Sequence, residues 1–337
     1  MTTARIFILT LLAMIAFASN SLLCRLALKQ THIDAATFTF VRIFSGAVAL
    51  WLMINVRSWL VVDRTASPLA DCSETRVRFP SPSSSPKRRG HPFSLREQVR
   101  MRVLDWKDAG NWPSALALFT YAAAFSFAYV DLSAGTGALL LFGAVQATMI
   151  LWGLHKGERL DAIQIIGLVV AVTGLVMLVF PGLSAPPLIG SILMLGAGVA
   201  WGVYSLRGKG VQNPASVTAG NFVRAIPFSG VVWIISLRWA HVDLAGVSYA
   251  VISGAIASGL GYVIWYNALP GLKATSAATV QLSVPVLAAT GGILLLGESI
   301  TLRYVLASVA VLGGIALVVV APHSQDQTAS PIGQSRS

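Results

Sequence analysis

The chain has 337 residues, of which 55% are hydrophobic and only 11% carry a charge. Because a soluble domain carries about 25% charged residues, this composition excludes a water-soluble globular protein of this length. The formal net charge of +11 would point to nucleic acid in a soluble chain. Here the basic residues are explained as signals of membrane orientation, and we expect no nucleic-acid partner.

Ten apolar stretches, nearly free of charge, follow one another along the chain. A bilayer core about 30 Å thick needs about 20 helical residues to cross it, and helices satisfy their own backbone polar groups. The sequence therefore predicts an all-α membrane protein with ten transmembrane helices. The predicted spans are residues 6–24, 35–56, 112–130, 135–154, 162–180, 188–206, 215–237, 244–269, 274–296 and 302–321.

Basic residues fall mostly on one side of these spans. With the N-terminus in the cytoplasm, 18 of the 24 Lys and Arg residues lie in cytoplasmic segments. The positive-inside rule therefore predicts an integral protein of the bacterial inner membrane with both termini in the cytoplasm. The Pro- and Ser-rich segment 57–111 predicts a disordered basic loop, and residues 323–337 a disordered tail. Contact of that loop with anionic lipid headgroups is the alternative to an orientation signal.

The two halves of the chain repeat each other. Phe17-Ala-Ser-Asn-Ser-Leu matches Trp201-Gly-Val-Tyr-Ser-Leu, and Gly157-Glu158 aligns with Gly297-Glu298. This repeat divides the chain into residues 1–182 and 183–322, with five spans each. Because five is odd, the second copy must enter the membrane from the opposite side, so the sequence predicts inverted five-helix repeats. Transporters built in this way bind substrate near the midplane between the copies and expose it alternately to each side.

The segment around Val284-Pro285-Val286 and Leu296-Gly297-Glu298 carries a family resemblance. With these motifs, and over all ten spans, the chain resembles the EamA-type family of the drug/metabolite transporter superfamily. Pro285, Gly297 and Glu298 match its pattern for the ninth helix, whereas Gln146 stands where the first half would have a proline. The resemblance implies a secondary transporter of small polar metabolites, commonly an exporter of amino acids or related compounds.

Two arginines lie inside predicted spans, where a charge is costly. Arg42 and Arg224 occur in the same Phe-Val-Arg context. One interpretation places them at the two mouths of a central cavity, where they would attract a carboxylate or another anionic group of the substrate. The alternative is that they reach lipid headgroups or tie neighbouring helices together.

Polar and aromatic side chains within the spans are the other candidates for the substrate cavity, because each needs a partner or water. For the aromatic residues the alternative is anchoring at the membrane interface. The candidates are Asn20, Gln146, Asn221, Gln281, Trp201, Tyr204, Trp265 and Tyr266. Pro285 and Gly297 are structural or gating candidates, and Glu158 and Glu298 are expected to cap the helices that follow them or to bond between helices.

Other function classes lack their motifs. An intramembrane enzyme needs a nucleophile with a base, paired aspartates or a metal motif within the spans, and a channel needs a filter-like loop or a ring of charges. We expect no enzyme, no cofactor and no metal, with a small-molecule substrate and the lipid bilayer as partners. No Asp or Glu lies inside a span, so proton coupling has no support. Substrate, coupling ion, direction of transport and a monomeric or homodimeric state stay open.

Overall fold

A computed structural model of the chain describes residues 3–66, 109–157, 160–182, 185–209, 211, 213–272 and 280–320. Within these ranges the regular structure is entirely helical. The helices are α1 (Thr3–Gln30), α2 (Ala35–Ala66), α3 (Trp112–Ala128), α4 (Ala134–His155), α5 (Ala162–Val179), α6 (Leu188–Gly208), α7 (Pro214–Ser236), α8 (Leu244–Gly271), α9 (Ser283–Leu296) and α10 (Leu302–Val320).

Each predicted span coincides with one of these helices. Among the described residues, eight helices are long and apolar enough to cross a membrane, and α3 and α9 are shorter, with 17 and 14 residues. The second span, residues 35–56, agrees with the part of α2 that is apolar enough to cross a membrane, and the helix continues to Ala66, so the segment expected as loop begins as helix. The predicted start of the ninth span falls in 273–279, outside the described residues.

Helix ends follow local sequence signals. Asn111 accepts a hydrogen bond from Ser114 N at 2.9 Å and starts α3, and Ser133 starts α4 in the same way. Gly297 has φ +62° at the end of α9, and Gly157 has φ +93° after α4. A Cβ on either glycine would meet nothing within 4 Å, so the left-handed backbone, not space, favours glycine there.

The bundle has two ends, defined here by α1. The N-terminal face is the end where α1 begins and where Ile6 contacts Gly271. At the opposite face α1 ends, and Arg25 donates hydrogen bonds to the carbonyl oxygens of Tyr129 and Val130. Because Gly190, near the start of α6, contacts Leu132 at that same opposite face, α1 and α6 run in opposite directions.

Helices of the first half pack mainly against helices of the second half. α1 packs against α8 and α9, and α6 packs against α3 and α4. α2 packs against α7, α4 against α9, and α5 against α10. These contacts are symmetric between the halves. Exchanging each helix for the one five positions along the chain, so that α1 exchanges with α6 and α2 with α7, turns every contact of this set into another contact of the same set. The two halves are therefore interleaved, and the centre of the bundle is built from both.

The middle of α8 is a π-helix, Ser253–Leu260, rich in small residues. Gly254 in this segment lies against the Arg42 carbonyl of α2, and a Cβ on Gly254 would meet that oxygen and Ser45 Oγ. π-helical turns are rare and are frequent at functional sites. The close approach brings the side chains of this segment to the middle of α2, where the charged residue Arg42 lies.

The last helices of the two halves cross at glycine. A Cβ on Gly314 of α10 would meet the Gly167 carbonyl of α5 and would lie 2.6 Å from Ala171 N. Small residues let helix backbones approach this closely, and such contacts drive association where lipid removes the hydrophobic effect. Space at this crossing, not backbone conformation, is what requires glycine.

We expect Gly314→Ala to lower the free energy of unfolding by about 1–3 kcal/mol, because the added methyl group overpacks the crossing. Gly313→Ala is the matched control, since a Cβ there meets nothing within 4 Å. That control is expected to stabilise the helix by about 0.5–1 kcal/mol. Thermal unfolding in one detergent measures both variants, and equal melting temperatures would contradict the described crossing.

Candidate functional site

Arg42 lies at the centre of the bundle with only 2% of its surface exposed. Its Nε donates to Ser258 Oγ at 3.2 Å, and its Nη2 donates to Tyr121 Oη at 3.0 Å. In the part of the chain that the structure describes, the one ion pair is Arg25–Glu298 on another helix, so Arg42 has no carboxylate partner there. A buried cation without a counter-charge costs several kcal/mol.

Aromatic rings offset part of that cost. The Arg42 Cζ atom lies 4.8 Å from the ring centroid of Phe125 and 5.2 Å from that of Tyr121. Cation–π contacts contribute about 0.5–2 kcal/mol each. The Nη1 atom of Arg42 is buried and has no hydrogen-bond partner among the described residues. The guanidinium therefore keeps both an uncompensated charge and an unused donor.

Asn20 joins this cluster from α1. Its Nδ2 donates to Tyr121 Oη at 3.1 Å, and its Oδ1 accepts from Ser253 Oγ at 2.6 Å. Arg42, Tyr121, Asn20 and the serines of the π-helix thus form one buried hydrogen-bond network. The network links α1, α2, α3 and α8, so it holds members of both halves in fixed relative positions.

A central cavity of about 20 Å³ lies beside the network. Its walls are mainly aromatic and include Phe17, Tyr121, Phe125, Trp201 and Tyr262. The Trp201 ring lies 4.9 Å from Tyr121 and 4.7 Å from Tyr262, centroid to centroid. This volume suits about one water molecule. In this conformation the centre is closed, and a metabolite reaches Arg42 only if the walls separate.

A second cavity, of about 130 Å³, lies at the N-terminal face and is called the N-terminal-face cavity. Three predicted site residues, Tyr204, Asn221 and Tyr266, line it. Asn221 Oδ1 accepts from Asn111 N at 2.9 Å. Tyr204 stacks on Trp201 with the centroids 5.5 Å apart, so this ring pair lies between the N-terminal-face cavity and the central cavity.

The opposite face is held by Glu298. Its Oε1 accepts from Arg25 Nε at 3.1 Å, and its Oε2 accepts from Ala134 N at 2.8 Å. Glu298 therefore caps α4, at the start of which Ala134 lies, and not the following helix α10, so that part of the prediction is wrong. The bonding between helices that we also expected is present. Gly292 leaves room for the carboxylate, since a Cβ there would lie 2.5 Å from Oε2.

A third cavity, of about 230 Å³, opens beside this ion pair and is called the opposite-face cavity. The carboxylates of Asp131 and Glu298 are among its lining groups, with Thr136 and Tyr304. The two end cavities thus differ in charge, because the N-terminal-face cavity is lined by Arg207 and by no acidic residue among those described.

The remaining predicted residues lie away from the central network. Arg224 donates to the carbonyl oxygens of Ala109 at 2.6 Å and Gly220 at 3.1 Å, so its surroundings differ from those of Arg42. The interpretation that placed Arg42 at a mouth of the cavity is wrong, because Arg42 is central; it ties neighbouring helices together, which was the alternative. Trp265 is buried and packs 6.0 Å from Phe17, centroid to centroid.

The prolines and amides of the fourth and ninth helices behave differently. Gln146 is buried and, unlike a proline, has a backbone N–H, and the helix α4 in which it lies is unbroken. Its side-chain Nε2 has no hydrogen-bond partner among the described residues. Pro285 lies in the first turn of α9. The buried residue Gln281 precedes this helix and is separated from it by a turn at Leu282. Gly297 ends α9 as described, and Glu158 lies outside the described residues.

Several site residues carried no signal in the sequence. Tyr121, Phe125, Ser253 and Ser258 stand in apolar or small-residue stretches and acquire a role only through Arg42 and Asn20. Their partners lie far away in sequence, for example 216 positions between Arg42 and Ser258. Arg207 was counted only as an orientation signal.

Comparison with known proteins identifies the family. Residues 188–320 match the model of the EamA-like transporter family. An uncharacterized protein of Pseudomonas aeruginosa, PA1977, is 48% identical over 319 residues, which cover 95% of this chain and 96% of that protein. The chain belongs to the EamA-like transporter family. The resemblance stated from the sequence is thereby confirmed.

Two further similarities belong beside these. The threonine/homoserine exporter RhtA of Salmonella typhimurium is 34% identical over 163 residues, covering 44% of this chain and 52% of the exporter. A known crystal structure has a TM-score of 0.55 and 15% identity, covers 93% of this chain and 98% of its own, and shows the fold alone. This EamA-like chain is an integral membrane transporter of small molecules, and its relatives point away from an enzyme.

We expect Arg25→Gln to lower the free energy of unfolding by about 2–4 kcal/mol, because it leaves Glu298, 10% exposed, without its cation. Lys29→Gln is the matched control on the same helix; that side chain is exposed, and its loss is expected to cost under about 1 kcal/mol. Thermal unfolding measures both. Adding Glu298→Gln to Arg25→Gln is expected to recover part of the loss, and full additivity would argue against the pair.

Proposed function

We propose that the chain is a secondary transporter that works by alternating access between two inverted five-helix repeats. The repeats are residues 1–182 and 183–322, and the family model covers α6–α10, which is the second of them. The opposite directions of α1 and α6 and the exchange of helix partners between halves support the proposal. Rocking of interleaved repeats around a central site is how such folds move substrate.

The substrate in this proposal is a small polar metabolite with a carboxylate, such as an amino acid. The buried Arg42, without an acidic partner among the described residues and with a free Nη1 donor, is the observation that carries the proposal. A substrate carboxylate would supply both the missing charge and the missing acceptor. Asn20 and Tyr121 add neutral hydrogen-bonding groups, and Trp201 adds an apolar ring. RhtA, a relative, is named as an exporter of threonine and homoserine.

The direction in this proposal is export, with both termini in the cytoplasm of a bacterial cell. The excess of basic residues in the segments that the sequence predicts to be cytoplasmic supports that orientation. The central cavity has room for about one water molecule, and the Arg25–Glu298 pair joins the two halves at the opposite face, as expected of an occluded state. Release on the opposite side then requires the ion pair to separate, whereas loading requires the Trp201–Tyr204 rings to move.

The test is counterflow of labelled threonine, and of a panel of amino acids and carboxylic acids, in proteoliposomes that contain the purified chain. We expect Arg42→Gln to lower kcat/KM at least tenfold, because charge-assisted hydrogen bonds are worth about 1.5–3 kcal/mol. Arg42→Lys keeps the charge but loses the planar guanidinium that binds a carboxylate through two parallel hydrogen bonds, and it is expected to give an intermediate value. Thermal unfolding of each variant shows whether it is folded.

Arg238→Gln is the matched control, because this arginine is exposed at the opposite face and its substitution removes the same charge from the chain. It is expected to transport within twofold of the unchanged chain. Transport by Arg42→Gln at the unchanged rate would remove Arg42 from the substrate site. If the unchanged chain transports none of the carboxylates in the panel, the proposed substrate class is overturned.

A further inference from the structure

The N-terminal-face cavity is formed by the termini of three helices. α3 and α7 both begin at it, with Asn111 and Ser114 from α3 and Thr218 from α7 in its wall, and α6 ends at it with Arg207. Helix N-termini carry a partial positive charge of about half an elementary charge. The C-terminus of α6 carries the opposite partial charge, so the guanidinium of Arg207 is the full charge among the described residues at this space.

No described group in the wall carries a full negative charge that would pair with Arg207. Arg207 Nε donates to Ser114 Oγ at 3.0 Å and its Nη2 donates to Asn111 Oδ1 at 3.1 Å, and both acceptors are neutral. No Asp or Glu is found among the described lining residues. The electrostatic potential in the cavity therefore favours an anion, and side-chain amides and hydroxyls are available for hydrogen bonds.

The opposite-face cavity has a carboxylate, Asp131, in its wall, whereas the other carboxylate there, Glu298, is paired with Arg25. An anionic group is favoured at one face and disfavoured at the other. For a carrier with Arg42 between the two, this difference assists capture at the N-terminal face and release at the opposite face.

We propose that the N-terminal-face cavity is a second binding site, which takes up the carboxylate of the substrate before it reaches Arg42, with Arg207 as its anchor. Its volume of about 130 Å³ exceeds the 20 Å³ of the central cavity, so it offers room in the occluded conformation. The identity of the ligand as transported substrate rests on the proposed function. The anion preference of the cavity does not.

The experiment measures that preference without requiring transport. Val217 lines the cavity, and Val217→Cys is made together with Cys72→Ser, while the buried Cys24 is kept. The full chain is reconstituted in neutral phosphatidylcholine and labelled with an anionic sulfonatoethyl and a cationic trimethylammonioethyl methanethiosulfonate. Each rate is divided by the rate of the same reagent with a free thiol.

We expect the anionic reagent to be favoured and the ratio of the two corrected rates to fall about tenfold when Arg207→Gln is added, from the loss of one charge at close range. Lys209→Gln is the matched control, because this lysine is exposed, follows α6 directly, and does not line the cavity. It is expected to change the ratio by less than twofold. Equal ratios with and without Arg207 would overturn the proposal.

Ligand protection then identifies the occupant. Threonine is expected to slow labelling, whereas threoninol, which has a hydroxymethyl group in place of the carboxylate, is not. Equal protection by both, or by neither, contradicts a carboxylate site. Phosphatidylglycerol added to the vesicles tests lipid headgroups as the source of the anion, and protection by this lipid without protection by threonine overturns the assignment to substrate.

The two proposals fail in different ways. A chain that shows Arg207-dependent anion preference and protection by threonine, yet no counterflow, keeps this site and loses the proposed transport function. A chain that transports threonine with labelling rates insensitive to reagent charge keeps the function and loses this site.

Discussion

Keeping the charge of Arg42 in the middle of an apolar bundle is the constraint that the rest of the structure serves. Burial of an arginine at 2% exposure is paid for by neutral hydrogen bonds and two aromatic rings, not by a carboxylate within the described residues. Those partners come from α3 and from the π-helix of α8, so the charge connects the two halves. Glycine at position 254 is needed for the same reason, because it brings α8 against the Arg42 backbone.

Closure at the two ends is chemically unequal. The opposite face is held by an ion pair that also caps α4, and at the N-terminal face stacked rings separate the end cavity from the centre. The hydrogen bond within an ion pair weakens steeply when its atoms separate, whereas stacked rings can slide with little loss of contact. The two faces of this transporter therefore differ in what resists their opening as well as in their charge.

The helices could be predicted from the sequence because the bilayer imposes one length and one composition on every span. Gly297 and its counterpart Gly157 could be read as helix ends for a similarly local reason. The site could be predicted only in part. Arg42 and Asn20 were identifiable as costly groups in apolar helices, whereas Tyr121 and Ser258 depend on contacts between helices distant in sequence. For Glu298 the sequence left open a local cap and a bond between helices, because nothing local points to its partner Ala134, which lies 164 positions away.

The aromatic lining of the central cavity has a consequence for how this fold diversifies. Trp201 contacts rings from α1, α3 and α8, yet it takes no part in the hydrogen bonds that hold Arg42. A smaller residue at this one position would enlarge the chamber while leaving the guanidinium and its partners in place. In the proposed mechanism, substrate size and substrate charge are therefore recognised by separate residues, so a single substitution at Trp201 would change the size of the substrate without changing the recognition of its charge.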